Sequence, residues 1–132
     1  MAKENQYDDP RFFAQYRQMP RSTGELVFSV KHQIFTAQGP QQWALDENGR
    51  HDHWPVDHYF SRGRRKSVFL GETVVKYHRT LADYFSALLE SGFEIRRIGE
   101  PTPPAAMLKE LPEANDELRR PMMLLIAARK SP

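Results

Sequence analysis

Residues 80–98 read TLADYFSALLESGFEIRRI, and this stretch decides the fold. Thr80 suits a helix N-cap, because its hydroxyl accepts from an amide of the first turn, and Asp83 three residues on supplies the return half of a capping box. Leu81, Tyr84, Phe85, Leu88 and Leu89 recur at helical spacing and make one apolar stripe. Gly92 falls just past the helix end, where left-handed backbone is wanted. Residues 93–98 then read as a strand. Helix, glycine and strand, followed by a long return to the apolar run at 122–128, is the ending of a doubly wound α/β sheet.

Working outward, residues 25–30 (ELVFSV) are nearly continuous in apolar character through Leu26, Val27, Phe28 and Val30. Such a run predicts a strand buried on both faces, as inside a mostly parallel sheet. Asp9-Pro10 opens a first helix, Phe12, Phe13, Tyr16 and Met19 give it an apolar face, and Pro20 stops it. Residues 32–55 break into a loop with Gly39-Pro40 and Asn48-Gly49. Residues 68–70 and 73–77 flank Gly71-Glu72, which predicts a type II′ hairpin. Residues 105–111 predict a short helix before Pro112. A doubly wound domain needs several strand–helix units, and only one strand precedes the helix at 80. The chain is short of strands.

At 132 residues the chain is one domain with a modest core, and 39% hydrophobic against 27% charged residues argues for a folded protein. It has no cysteine, which excludes disulfides, thiolate metal sites and a thiol nucleophile, and fits the reducing cytoplasm as the expected location. The apolar run at 122–128 is too short to cross a bilayer, and residues 1–9 are polar, without the apolar centre of a secretion signal. A net charge of +2 does not argue for nucleic acid.

Five blocks carry a family resemblance: YDDPRFFAQYRQMPRS (7–22), GELVFSVKHQIFTA (24–37), WPVDHYF (54–60), VVKYHRTLADYFSALLESGFEIRRIGEP (74–101) and RRPMMLLIAARK (119–130). Together they resemble a bacterial family of small class I S-adenosylmethionine-dependent methyltransferases, of the methyltransferase-domain or type 11 kind, over nearly the whole chain. The resemblance implies a partial Rossmann-like methyltransferase fold of α/β class, with S-adenosylmethionine as cofactor and a small-molecule acceptor. It divides a single, incomplete domain into a lid segment (1–22), a strand and loop (24–37), a substrate arm with a β-hairpin (38–79), and a C-terminal helix and strand pair (80–132). It also implies that 25–30 is the fifth strand, followed in space by the last strand and then by FEIRRIG, the last pair antiparallel and the rest parallel.

The departure from the family is equally informative. There, a cofactor-binding half lies between the opening helix and GELVFSV, with a glycine-rich turn that lets backbone approach the ligand and an acidic residue for the ribose. Here Ser22-Thr23-Gly24 runs straight through, and the seven glycines (24, 39, 49, 63, 71, 92 and 99) are all isolated. The expectation is a family member inactive alone, with strand 25–30 left as an apolar edge that invites self-association. The alternatives are a binding or interaction module, and half of a methyltransferase completed by a partner or a homodimer.

The resemblance also assigns candidate sites. Tyr7, Tyr16, Met19 and Arg21 belong to the lid over the cofactor, with Arg21 suited to a carboxylate; a core-docking helix is the plainer account. His32 follows the fifth strand, at the carboxyl edge where open α/β sheets bind ligands, although Gln33 stands where the family usually has Pro. Either His32 or His78 suits a general base, or a structural or substrate-orienting role. Trp43, Trp54 and Tyr59, with Phe60, suit an aromatic substrate wall or the arm's own small core, and Arg79 stands beside them as a substrate contact. His51, His53 and His58 with Asp52 and Asp57 match no strong metal spacing, so no metal is expected. The run Arg62-Gly63-Arg64-Arg65-Lys66 suits an anionic ligand or a solvated hairpin end.

Overall fold

In the computed structural model, which describes residues 24–38 and 40–131, eleven elements follow one another. They are β1 (Glu25–Lys31), α1 (Gln33–Thr36), β2 (Ala44–Leu45), β3 (His51–His53), β4 (Gly63–Phe69), β5 (Glu72–His78), α2 (Leu81–Glu90), β6 (Phe93–Gly99), α3 (Ala105–Glu110), a 3-10 helix (Pro112–Leu118) and β7 (Met123–Lys130). The strands form a three-stranded sheet in the order β1-β7-β6 and two antiparallel pairs, β2-β3 and β4-β5. The opening helix read at 10–19, with Tyr7, Tyr16, Met19 and Arg21, lies outside the described residues.

The capping box at the start of α2 forms as the sequence requires. Thr80 Oγ1 accepts from the Asp83 amide at 3.1 Å, and Asp83 Oδ2 accepts from the Thr80 amide at 3.0 Å. At the other end Gly92 takes φ +86°, a conformation its neighbours adopt only with strain, and lets the chain turn straight into β6. The stripe read from the sequence then docks on the sheet through Leu81, Tyr84, Phe85 and Leu88, whereas Leu89 faces away and is exposed. Tyr84 and Leu88 join Val30, Phe93, Leu124, Ile126 and Ala128 in a buried cluster, with Leu81 and Phe85 packed at its margin.

Three expectations need correction. First, β1 is not buried on both faces: Leu26, Phe28 and Val30 turn inward, but Val27 is 68% exposed. Opposite it in the register stands Ala127, and the next pair on that face is Ser29 with the exposed Leu125. No described element covers this face. Second, the strand order holds but both pairs are antiparallel, so β1 and β6 run parallel to each other on either side of β7. The reason is topological: the passage through α2 returns the chain along β1's direction one position away, and the return from β6 then enters the gap from the opposite end.

Third, the hairpin closes one residue earlier than expected. Phe69 pairs with Glu72, so Leu70 and Gly71 form the two-residue loop, at φ +51° and φ +79°. Positive φ at both loop positions is the type I′ pattern, not type II′, and it matches the strand twist well enough to hold a leucine left-handed. That leucine is almost fully exposed. The stretch read as loop at 32–55 also holds the short α1 and the β2-β3 pair. The last strand begins and ends slightly later than the run at 122–128.

Leu88 is fully buried under the sheet while its neighbour Leu89 is 59% exposed. Leu88→Ala should therefore lower the unfolding free energy by about 2–5 kcal/mol, and Leu89→Ala by no more than about 0.5 kcal/mol. Urea denaturation of both variants measures the contrast, and equal losses would contradict the docking described.

Candidate functional site

His32 directly follows β1, and its backbone amide donates to the Met122 carbonyl at 2.8 Å at the entrance to β7. His32 caps α1: its Nδ1 accepts from the Ile34 amide at 3.1 Å. That bond uses the Nδ1 lone pair, so the ring proton sits on Nε2, which lies 2.5 Å from Glu100 Oε2. The imidazole is buried and the carboxylate is more than half exposed. Neither ring nitrogen keeps a free lone pair in this arrangement.

His78, at the end of β5, is fully buried. Its Nε2 lies 2.7 Å from the Tyr59 carbonyl oxygen, which only accepts, so Nε2 carries the proton and Nδ1 accepts from the Thr36 hydroxyl at 2.8 Å. Burial pushes its pKa below the usual 6.5, the Tyr59 carbonyl opposes that, and the charges of Arg65 and Arg79 add to the lowering. His78 is thus a neutral cross-brace between α1, the arm and the hairpin.

The substrate-binding candidates Trp43, Trp54, Tyr59 and Arg79 divide into two groups, while Phe60 is exposed beside Tyr59. Tyr59 presents its ring edge to His78, and its hydroxyl accepts from the Leu81 amide at 3.0 Å, at the first turn of α2. Arg79 donates to the His78 carbonyl at 3.0 Å and lies over the Tyr77 ring. Both belong to the junction of β5 with α2. Trp43 and Trp54 meet edge to face with centroids 5.4 Å apart, and Trp54 stacks on Phe35 at 4.6 Å. The Trp54 indole N–H donates to the Ile34 carbonyl, which fixes the ring over α1.

A residue the sequence reading did not select sits at the centre of that second group. Arg120 is only 8% exposed, and its guanidinium carbon lies 4.5 Å from the Trp54 ring centroid, 5.0 Å from Phe35 and 5.1 Å from Trp43. Its Nη1 and Nη2 donate to the two Glu117 oxygens at 2.6 and 3.3 Å, while Nε is buried with no acceptor. A buried donor left unmade costs about 1–3 kcal/mol. Arg119 packs 4.7 Å over Trp43 and donates to the carbonyls of His51 and Asp52 and to Asp116. The only trace in the sequence is an Arg-Arg-Pro step before an apolar strand, which does not say which arginine turns inward.

Beside the second group lies a cavity of about 290 Å³ lined by Ile34, Trp43, His53, Trp54, Val56, Arg119, Arg120 and Pro121. A neighbouring one of about 300 Å³ is lined by Glu100, Glu117, Arg119, Arg120 and adjoining residues. The arm's histidines do not converge. His51 bonds Asp116 at 2.7 Å and stacks on Trp43, and His53 bonds Asp52 at 2.8 Å. His58 lies near Asp57, and no three metal-ligating side chains cluster among the described residues. Much of the basic run is used internally. Arg62 holds Asp83 with a two-point pair, which keeps that carboxyl below the usual carboxylate range, and Arg65 donates to the carbonyls of Ala37, His58 and Ser61.

The fold described above recurs in solved structures. An S-adenosylmethionine-dependent methyltransferase from Listeria monocytogenes superposes with a TM-score of 0.84 at 49% identity, over 93% of this chain and 55% of that one. This chain carries part of a methyltransferase-like fold. A second S-adenosylmethionine-dependent methyltransferase, from Mesorhizobium loti, matches with a TM-score of 0.77 at 39% identity, over 92% of this chain and 55% of that one. An uncharacterised protein of Haemophilus influenzae is 30% identical over 114 residues, 83% of this chain and 43% of that protein. The chain thus spans about half the length of the proteins it matches. No protein-family model matches it. Among the described residues, no helix is long and apolar enough to cross a membrane.

Because His78 is held neutral, the unfolded chain binds a proton there at a higher pH than the folded chain does. Its contribution to stability is present above pH 6.5 and is lost as pH falls below that value. In an NMR titration the His78 ring should show a midpoint below 6.5, and a midpoint at or above it would contradict the brace.

Proposed function

We propose that these residues are the acceptor-binding part of an S-adenosylmethionine-dependent methyltransferase acting on a small molecule, and that the chain transfers no methyl group alone. The observation that carries this reading is the match to two solved methyltransferases over more than nine-tenths of this chain and only 55% of each of theirs.

The described residues do not fit the cofactor. A nucleoside-binding cradle needs a glycine-rich turn leading from a parallel strand into a helix. Gly49, Gly63, Gly71 and Gly92 have positive φ, but they serve the β2-β3 connection, the start of β4, the hairpin and the exit from α2. The connections that do lead from strand to helix, β1 to α1 and β5 to α2, pass through His32 and through Arg79-Thr80. No step of methyl transfer is therefore assigned to this chain. In this reading the family's cofactor half is absent between Ser22 and Gly24, and Tyr16, Met19 and Arg21 are what is left of the lid. Trp43 and Trp54 form the acceptor wall. His32, His78 and Tyr59 hold the arm in place, since their polar groups bond to the protein itself, and Arg79 gives one donor to the His78 carbonyl.

A second reading concerns the partner. The edge of β1 away from β7 pairs with no strand among the described residues, and Val27 beside it is exposed. A strand added there, from a second copy or from a chain carrying the cofactor half, would continue the sheet.

Isothermal titration of the chain with S-adenosylmethionine should give no binding in the micromolar range; micromolar binding would overturn the claim of inactivity. Sedimentation should show concentration-dependent association that Val27→Lys weakens, and a monomer at every concentration would remove the self-pairing.

A further inference from the structure

We infer that the cavity beside Arg120 is a binding site for a small planar anion, with an aromatic carboxylate as the class it fits; this rests on the acceptor reading and gives it a chemistry. Its polar lining consists of Arg119, Arg120 and His53, and no carboxylate lines it. Its apolar walls include both indoles, Trp43 and Trp54, with Ile34. Flat rings stack well against such walls, and a carboxylate is the natural acceptor for a guanidinium fork.

The donor left over is specific. A guanidinium carries five N–H groups in a fixed plane. Glu117 takes the Nη1–Nη2 end of Arg120, and Phe35, Trp43 and Trp54 surround the group. Nε alone among its nitrogens has no acceptor. Arg119 is already committed to Asp116 and to the His51 and Asp52 carbonyls, so it supplies charge rather than a free fork. An incoming carboxylate would accept from Arg120 Nε after a small side-chain adjustment and relieve the unmade bond, while Glu117 keeps the opposite end in place.

Size narrows the class further. About 290 Å³ admits a single ring with short substituents and lies just below the usual span of drug-sized ligand cavities, roughly 300 to 1,000 Å³. A nucleotide or a folded peptide segment exceeds it. The neighbouring cavity, by contrast, brings Glu100 and Glu117 to its lining and is poorly suited to an anion.

The test needs neither cofactor nor partner, so its failure is separate from failure of the methyltransferase reading. Trp43 and Trp54 are the only tryptophans, so indole emission reports on this cavity alone. Benzoate titrated into the full chain should change that emission saturably. Benzamide, its neutral isostere, and inorganic phosphate, an anion without a ring, should each bind at least tenfold more weakly. Arg120→Met should lose benzoate binding at least tenfold. Because that variant removes a buried group, Glu117→Gln serves as the second probe: it keeps an acceptor on the Nη1–Nη2 end but removes the carboxylate charge that neutralises Arg120, and should tighten benzoate severalfold. Equal response to benzamide or to phosphate, no saturable response, or unchanged affinity in Glu117→Gln would each overturn the inference.

Discussion

The antiparallel placement of β7 between β1 and β6 is the constraint on which the rest depends. Among the described residues β7 is the only strand of its sheet bonded on both edges, and Leu124, Ile126 and Ala128 supply the middle of the buried cluster. Its two ends are tied as well. The Met122 carbonyl accepts from His32 at one end, and at the other the Lys130 amide donates to the Gly24 carbonyl at 2.6 Å. Lys130 carries its ammonium under the turn after α2, where Nζ donates to the Ser91 carbonyl and lies over the Phe93 ring. A buried cation is tolerable there because carbonyl and ring face it together.

From that strand the candidate site is built backwards along the chain. Arg119, Arg120 and Pro121 stand immediately before β7, so the strand's register decides where the two guanidinium groups arrive. Arg120 goes under the two tryptophans and Arg119 over one of them, and between them they tie the 3-10 helix, α1 and the β2-β3 pair into one body. His78 makes the corresponding tie from the hairpin side, through Thr36 and Tyr59. The arm therefore has little apolar core of its own. Polar bonds from long side chains hold it, and such bonds keep their geometry only while both partners stay dry.

How much of this was legible follows from the range of each interaction. The α2 boundaries were readable because capping is local: Thr80, Asp83 and Gly92 state it within a dozen residues. The strand order came with the family resemblance, whereas the exposure of Val27 did not, since an apolar run has the same letters whether one face or two are covered. Leu70 illustrates a different limit. Glycine at 71 announced a tight turn, but which two residues form the loop depends on the ladder that Phe69 and Glu72 close. The site was half visible. Trp43 and Trp54 stand out by residue type, while Arg120 lies 66 residues beyond Trp54 in a sequence rich in arginine, and only the fold shows that it is the one buried among aromatics.

The division of labour in the fold then becomes physical rather than nominal. Methyl transfer is a positioning reaction, in which the sulfonium and the acceptor must be held in line. The acceptor side asks for a shaped, aromatic and charged pocket, and the cavity lined by Trp43, Trp54, Arg119 and Arg120 has the character that the proposed reading requires. The cofactor side asks for bare backbone at glycines between strand and helix, which none of the described connections offers. β1 is where the two sides would meet, because its open edge is the position for another strand and its last residue is followed by His32, locked to Glu100 and to α1. A strand pairing along β1 would thus fix the same backbone that sets His32, and with it the cap of α1, whose Ile34 lines the cavity proposed to take the acceptor.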